Sequence, residues 1–160
     1  MPATAQKIRP CLWFDGKAEE AVDFYMSLFP GSDSEILEVQ RWGKEGPGVP
    51  GSVLTMEFRL AGNEYQALNG GPEFKFNEAV SLSVDCADQA EVDRLWERIT
   101  ADGGEGGPCG WCKDKFGLSW QIVPRRLVEL LADPDEARAA RVLAAMMKMG
   151  KLDVAALESA

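Results

Sequence analysis

Apolar and polar positions along the first half of the chain alternate between strand-like and helix-like spacing. A short apolar run over residues 8–14 predicts a strand, and apolar positions at helical spacing predict a helix over residues 17–29. Further strands are predicted at 36–42, 53–60 and 64–68, with a hairpin turn at Gly62-Asn63. The first half therefore has the predicted element order βαβββ.

The second half follows the same order. A strand over residues 80–85 precedes Asp88-Gln-Ala-Glu91, which resembles a capping box with Asp in place of Ser or Thr. The helix that it opens is predicted to bury Val92, Leu95, Trp96 and Ile99. Three strands follow at 105–107, 111–114 and 118–123, the last two joined around residues 115–117.

The two halves also share residues at constant offsets. Leu12, Asp15, Val22 and Asp23 recur 70 positions later, and Gly62, Tyr65 and Gln66 recur 55 positions later with Trp in place of Tyr. A constant offset over a strand and a helix indicates one supersecondary unit used twice, and two facing units usually leave a cleft. The Gly/Pro-rich segment 43–51 fills most of the extra length of the first half, either as a lid or as a plain connection.

The chain after Pro124 has helical spacing to its end. Asp133-Pro134 followed by Glu136 predicts a helix start with Asp133 as the N-cap. An apolar stripe then follows at Ala139, Val142, Leu143, Met146 and Met147, and a last short helix holds Val154 and Leu157. The predicted fold is α+β, with a domain over 1–125 (module one 7–72, module two 79–124) and a helical arm over 126–160. The arm either packs on its own domain or clasps a partner subunit.

Composition excludes several classes of function. A net charge of −9 and a pI near 4.6 argue against nucleic acids and anionic membranes. No apolar run is long enough for a membrane helix, and residues 1–7 contain no apolar signal core, so a cytoplasmic protein is expected. Histidine is absent from all 160 residues, which excludes His-based acid–base chemistry and His-containing metal sites.

Strand alternation assigns a set of polar residues to the sheet faces opposite the helices. We predict that this set forms a ligand pocket: Arg9, Trp13, Glu57, Gln66, Ser81, Ser83 and Gln121. Arg9 could anchor a carboxylate or phosphate, or it could pair with Glu57. The alternative is a polar sheet face exposed to water. Cys109-Gly-Trp-Cys112 has redox spacing but leads into a strand, so structural thiols are favoured over thiol–disulfide exchange.

Four segments together resemble the vicinal oxygen chelate superfamily, which includes glyoxalase I, bleomycin-resistance proteins and extradiol dioxygenases. They are LWFDGKAEEAVDFY (12–25), ALNGGP (67–72), CGWCKDKFGLSWQIVP (109–124) and MMKMGKLD (146–153). Within the superfamily the chain is similar to PhnB-like proteins, often labelled 3-demethylubiquinone-9 3-methyltransferase. The resemblance implies paired βαβββ modules, each half of an open barrel around a cleft, commonly in a homodimer. Metal-dependent relatives bind a divalent ion through His and Glu near the positions of Arg9, Ala79, Gln66 and Gln121, none of which is His or a carboxylate.

Three functions follow from these observations. The first is a metal-free protein that binds a small molecule and needs no cofactor, with Trp13 stacking on the ligand and the amides and serines donating hydrogen bonds. The second is a metal-dependent lyase, isomerase or dioxygenase with divergent ligands, for which Glu57 is the available carboxylate. The third is the methyltransferase of the family label, which is disfavoured because no Gly-rich turn follows an N-terminal strand. Whether the protein is an enzyme stays open.

Overall fold

The computed structural model describes residues 6–160. The prediction that residues 1–7 contain no signal core falls mostly on residues 1–5, which lie outside this range. The chain divides into two compact units, one ending at Lys75 and the other beginning at Phe76. Among the described residues, none of the helices has the length and apolarity needed to cross a membrane.

The first unit contains one helix and four strands in the predicted order. They are β1 (Cys11–Phe14), α1 (Ala18–Leu28), β2 (Glu35–Arg41), β3 (Val53–Leu60) and β4 (Asn63–Asn69). The strands form an open mixed sheet with the order β1-β4-β3-β2, in which β1 and β4 are parallel. β1 is shorter than predicted and begins after Pro10, which has no N–H to donate to a sheet. The hairpin turn lies at Ala61 and Gly62, both with positive φ, rather than at Gly62-Asn63.

The second unit repeats this arrangement and adds the arm. Its elements are β5 (Ser81–Cys86), α2 (Gln89–Thr100), β6 (Glu105–Gly106), β7 (Trp111–Lys113), β8 (Ser119–Pro124), α3 (Arg125–Leu131), α4 (Glu136–Met146) and α5 (Val154–Glu158). The sheet order β5-β8-β7-β6 matches that of the first unit strand for strand. The predicted α+β fold with a repeated βαβββ module and a helical arm is therefore confirmed.

In each unit the helix covers one face of the sheet, and the apolar side chains on that face are buried. In the first unit Leu12, Phe14 and Phe58 are buried together with Val22 and Tyr25 of α1. In the second unit Trp120 and Ile122 of β8 are buried together with Val92, Leu95 and Ile99 of α2. Burying one such side chain contributes about 1.5–3 kcal/mol, so these faces dominate the stability of each unit. The alternation predicted from the sequence therefore holds, and it leaves the polar positions on the opposite faces.

One packing prediction in the second unit is wrong. Trp96 is only half-buried, because it lies beside the stripe formed by Val92, Leu95 and Ile99, where its indole covers Gly106. Of the apolar stripe predicted for the arm, Val142 of α4 is buried, whereas Leu143 and the C-cap residue Met147 are exposed.

The start of α4 also differs from the prediction. Asp133 uses its carboxylate to accept a hydrogen bond from the Asp135 N–H at 2.8 Å. Asp135 is the N-cap, and its carboxylate accepts from the N–H groups of Ala137 at 3.1 Å and Arg138 at 3.3 Å. The turn that Asp133 forms with Asp135 thus delays the helix by two residues.

The helical arm packs on the second unit. Its apolar side chains form a cluster in which Leu127, Leu130, Val142, Leu152 and Leu157 are buried. The Gln89 side chain donates to the Leu152 carbonyl at 3.0 Å and accepts from the Val154 N–H at 2.7 Å. The N–H groups of Cys109 and Gly110 donate to the carbonyls of Met149 and Gly150, both at 2.8 Å. Of the two alternatives for the arm, packing on its own unit is therefore the one observed.

Candidate functional site

A cavity of about 290 Å³ lies on the face of the first sheet that α1 does not cover. Residues from four strands line it: Cys11, Glu38, Gln40, Thr55, Met56, Glu57, Gln66 and Leu68. Two of the predicted site residues, Glu57 and Gln66, meet there because they are directly paired between β3 and β4. The polar face predicted from strand alternation therefore contains a concave site on this unit.

Glu57 is held from both sides in this cavity. Its Oε2 atom lies 3.1 Å from Nη1 of Arg9, and its Oε1 atom accepts a hydrogen bond of 3.3 Å from Nε2 of Gln66. The side chains of Arg9 and Glu57 are only 19% and 16% exposed, so both charges are largely withdrawn from water. A partly buried carboxylate needs such partners, because removing one would leave an uncompensated charge. The pairing of Arg9 with Glu57, one of the two roles expected for Arg9, is thus observed.

A second carboxylate increases the negative charge of the cavity. Glu38 of β2 is paired directly with Glu57 of β3 in the sheet register. Gln40 donates to Glu38 at 3.5 Å and accepts from the Thr55 hydroxyl at 3.2 Å. Like charges directly opposite on neighbouring strands repel, so the Arg9 guanidinium compensates for part of this repulsion.

The Trp13 indole does not line the cavity. Its Nε1 atom donates to the Gly71 carbonyl at 2.9 Å, and its ring lies edge-on to Phe74 with a centroid distance of 4.8 Å. The neighbouring Asn69 accepts from the Ala18 N–H at 2.9 Å and donates to the Val53 carbonyl at 3.0 Å. The ALNGGP segment therefore caps α1, whose N-cap residue Lys17 supplies no side-chain acceptor, and it encloses Trp13.

The predicted residues of the second unit are partly brought together. Nε2 of Gln121 donates to Oγ of Ser81 at 2.9 Å, and both residues are half-buried. Ser83 lies opposite Gln121 in the register of the parallel strands but is exposed. The hydrogen bond fixes the Gln121 amide with its carbonyl oxygen directed away from Ser81, so this oxygen can accept a bond from a ligand.

A second cavity, which sequence reasoning missed, lies in the second unit. It has a volume of about 160 Å³ and is lined by Glu78, Glu105, Gly106, Gly107, Pro108, Trp111, Cys112, Lys113 and Ser119. Ser119 is 1% exposed, and its Oγ atom has no hydrogen-bond partner among residues 6–160. Ser119 lies on β8 two positions before Gln121, so strand alternation places both on the same sheet face, but alternation could not show that the Ser119 hydroxyl would be buried.

The two buried cysteines, Cys86 and Cys112, are poorly suited to thiol exchange. All four are free thiols, and burial raises the pKa of Cys112 to about 12, with a further contribution from the charge of Asp114. Burial likewise raises the pKa of Cys86 to about 12. The attacking species in thiol exchange is the thiolate, so a thiol that stays protonated at neutral pH is a poor catalyst. In the Cys109-to-Cys112 segment, Gly110 adopts a φ of +83° and contacts the arm, which is a structural role.

The residues present do not fit a divalent catalytic metal. The positions expected from metal-dependent relatives are Arg9, Ala79, Gln66 and Gln121, which offer a cation, a methyl group and two neutral amides. Within residues 6–160, no three His, Cys, Asp or Glu side chains are grouped so that they could hold a metal ion. The nearest carboxylate, Glu57, already pairs with Arg9.

Comparison with known proteins identifies relatives of the same fold. The family model described as 3-demethylubiquinone-9 3-methyltransferase matches residues 6–123. One solved structure is that of a PhnB protein from Bacillus cereus, described as a putative 3-demethylubiquinone-9 3-methyltransferase. Its sequence is 36% identical to this chain, and the match covers 74% of this chain and 99% of that one with a TM-score of 0.66. A search among curated protein sequences found no match.

Two more distant structures show the fold alone. A protein from Pseudomonas aeruginosa is 20% identical over 75% of this chain and 98% of its own, with a TM-score of 0.58. The fosfomycin resistance protein FosX from Listeria monocytogenes, complexed with Mn(II) and sulfate, is 17% identical over 74% of this chain and 90% of its own, with a TM-score of 0.50.

Proposed function

Because the chain belongs to the 3-demethylubiquinone-9 3-methyltransferase family, within the vicinal oxygen chelate superfamily, we propose that it is a small-molecule-binding protein of the glyoxalase/bleomycin-resistance type that works without a catalytic metal. The observation that carries this proposal is the cavity of about 290 Å³ lined by Glu57, whose carboxylate pairs with Arg9. Ligand pockets span roughly 300–1,000 Å³, so the ligand is small.

Arg9 anchors an acidic group of the ligand in this proposal. A guanidinium has five N–H donors in a planar fork, so Glu57 can hold one edge while a carboxylate or phosphate binds another. Gln66 supplies a hydrogen bond within the cavity, whereas Trp13 does not line it. Ser81, Ser83 and Gln121 are the matching hydrogen-bonding groups on the sheet of the second unit.

The test is a ligand-observed NMR screen of small carboxylates and their amides against the wild-type protein and Arg9→Ala. We expect carboxylate hits whose affinity falls about 10–100-fold in Arg9→Ala, because a hydrogen bond to a charged group is worth about 1.5–3 kcal/mol. Arg41→Ala is the matched control, since Arg41 is also paired with a glutamate of this unit but is 48% exposed. Unchanged affinity in Arg9→Ala would remove the anchor role, and a screen without wild-type hits would contradict ligand binding at this cavity.

The alternative is a metal-dependent lyase, isomerase or dioxygenase, and the Mn(II) of FosX on this fold is the observation in its favour. Elemental mass spectrometry of protein purified without chelator or affinity tag separates the two functions. Near-stoichiometric Zn, Mn, Fe or Ni would overturn the metal-free proposal. Methyltransfer is not supported, because each sheet is a four-stranded mixed sheet rather than a doubly wound parallel one.

We also propose that the protein forms a homodimer and is located in the cytoplasm. Sedimentation velocity at micromolar concentration tests the dimer, and a monomer under these conditions would contradict it.

A further inference from the structure

The internal repeat places two equivalent rows of charged residues across the two sheets. In the first unit the register aligns Glu35, Arg59 and Glu64 on β2, β3 and β4. In the second unit it aligns Glu105, Lys113 and Ser119 on β6, β7 and β8. Each row thus begins with an acid and a base, but the third position is a carboxylate in one unit and a hydroxyl in the other.

The row of the first unit is complete. Arg59 lies 3.3 Å from Glu35 and 3.4 Å from Glu64, and Asp33 adds a third carboxylate at 3.3 Å. Glu64 is 8% exposed, so its carboxylate is buried against the guanidinium. At this position the fold therefore accommodates a buried carboxylate on β4 even though two other acids share the same cation.

The row of the second unit keeps one of its two acids, Glu105, and Glu78 from outside the row adds a second carboxylate. Lys113 forms ion pairs with Glu78 and with Glu105, the latter at 3.6 Å. The other acid of the row, Glu64 in the first unit, is replaced by Ser119, whose hydroxyl is buried and has no hydrogen-bond partner among the described residues. The cavity of about 160 Å³ opens at this point and is lined by both Lys113 and Ser119. The shorter side chain thus leaves space where the first unit holds a carboxylate.

We propose that this cavity binds the carboxylate of a small ligand, in the position that the Glu64 carboxylate has in the other unit. An ammonium group has three N–H donors, two of which serve Glu78 and Glu105, so one remains together with the Ser119 O–H. Two donors that line the same cavity favour an acceptor there. Glu78 and Glu105 are 61% and 71% exposed, so water screens their repulsion of a further carboxylate.

The size and walls of the cavity limit the rest of the ligand. A cavity of about 150 Å³ holds a benzene molecule, so a ligand of about six to nine non-hydrogen atoms fits here. Trp111 and Pro108 provide apolar surface, and Gly106 and Gly107 let the backbone approach closely. The ligand class is therefore a short-chain or aromatic monocarboxylate.

The experiment titrates the full chain with butyrate and with its uncharged counterpart butyramide, while backbone amide shifts are followed by ¹⁵N NMR. Saturable shifts at Lys113 and Ser119 are expected with butyrate, and an affinity about tenfold lower with butyramide, because the charge-assisted hydrogen bond is lost. No saturable shift with butyrate, or equal affinity for both compounds, would overturn the proposal.

Variants of Ser119 complete the test. Ser119→Glu recreates the complete row, so it should abolish butyrate binding without lowering the melting temperature. Ser119→Ala should fold, since it only removes an unpaired hydroxyl, and should weaken butyrate binding about fivefold or more. Ser159→Glu adds the same charge at an exposed position and should leave binding unchanged. Wild-type affinity in both Ser119 variants would refute the assignment, whatever ligand the first unit binds.

Discussion

The thiol of Cys112 allows a quantitative prediction about pH. An unfolded cysteine loses its proton near pH 9, whereas burial raises the pKa of Cys112 in the folded protein to about 12. Between these values the unfolded state binds fewer protons than the folded state. The stabilisation that comes from this thiol is therefore fully present below about pH 9 and is lost as the pH rises towards 12. One pKa unit corresponds to about 1.4 kcal/mol, so this thiol should remove about 1.4 kcal/mol of stability at pH 10.

The perturbation is Cys112→Val, which keeps an apolar side chain of similar size and removes the ionisable group. Urea unfolding followed by tryptophan fluorescence, under reducing conditions at pH 7.5 and pH 10, gives the loss of stability for each protein. The loss should be smaller in the variant by about 1.4 kcal/mol. Cys86→Val is the matched control, because burial raises the pKa of Cys86 to the same value outside the motif, and its effect should be equal. An identical loss in Cys112→Val and wild type would refute the argument that this thiol stays protonated and unreactive.

Two further predictions concern the family segments. Asn69→Ala should destabilise the first unit by about 1–2 kcal/mol in urea unfolding, because α1 loses its side-chain cap; wild-type stability would contradict this role. Gly110→Ala should cost about 1–3 kcal/mol and speed hydrogen exchange in the arm, because φ is +83° and a Cβ would lie 2.9 Å from Leu152 and 3.0 Å from the Ile122 carbonyl. Gly117→Ala has a similar φ but open space, so it should cost about 1 kcal/mol and leave arm exchange unchanged.

The fold could be predicted from the sequence because its signals are local or periodic. The bounds of β3 match the prediction residue for residue, since apolar and polar residues alternate from Leu54 to Leu60 and Gly/Ser and Ala-Gly flank the strand. The constant offsets anticipated the identical strand order of the two sheets. The start of α2 was also recognisable, because Asp88 accepts from the Glu91 N–H at 2.9 Å and Glu91 accepts from the Ala87 N–H at 2.8 Å.

The predictions that failed or stayed open depend on contacts between residues distant in the sequence. Nothing near Trp13 indicates that its indole donates to Gly71, 58 positions later. In the same way, the burial of Trp96 depends on how closely Gly106 approaches α2, which helical spacing alone does not specify. The Arg9–Glu57 pair was one of two alternatives, and only the three-dimensional structure shows that the two charged groups lie 3.1 Å apart.

Most residues of the segments that identify the family have a structural role in the fold. Residues of these segments without such a role are therefore the better candidates for ligand binding. In the segment 109–124, Gly110 fits the arm, and Asp114 accepts from the Phe116 and Leu118 N–H groups and from Nε1 of Trp120 at 2.9–3.1 Å. A motif with such roles indicates a shared fold, because any member must form the same turns, whatever it binds. Ser119 is different, because burying a hydroxyl without a hydrogen-bond partner lowers the stability of the folded state by about 1–3 kcal/mol. A ligand that accepts its hydrogen bond would recover that free energy, which is the physical reason to expect one at this position.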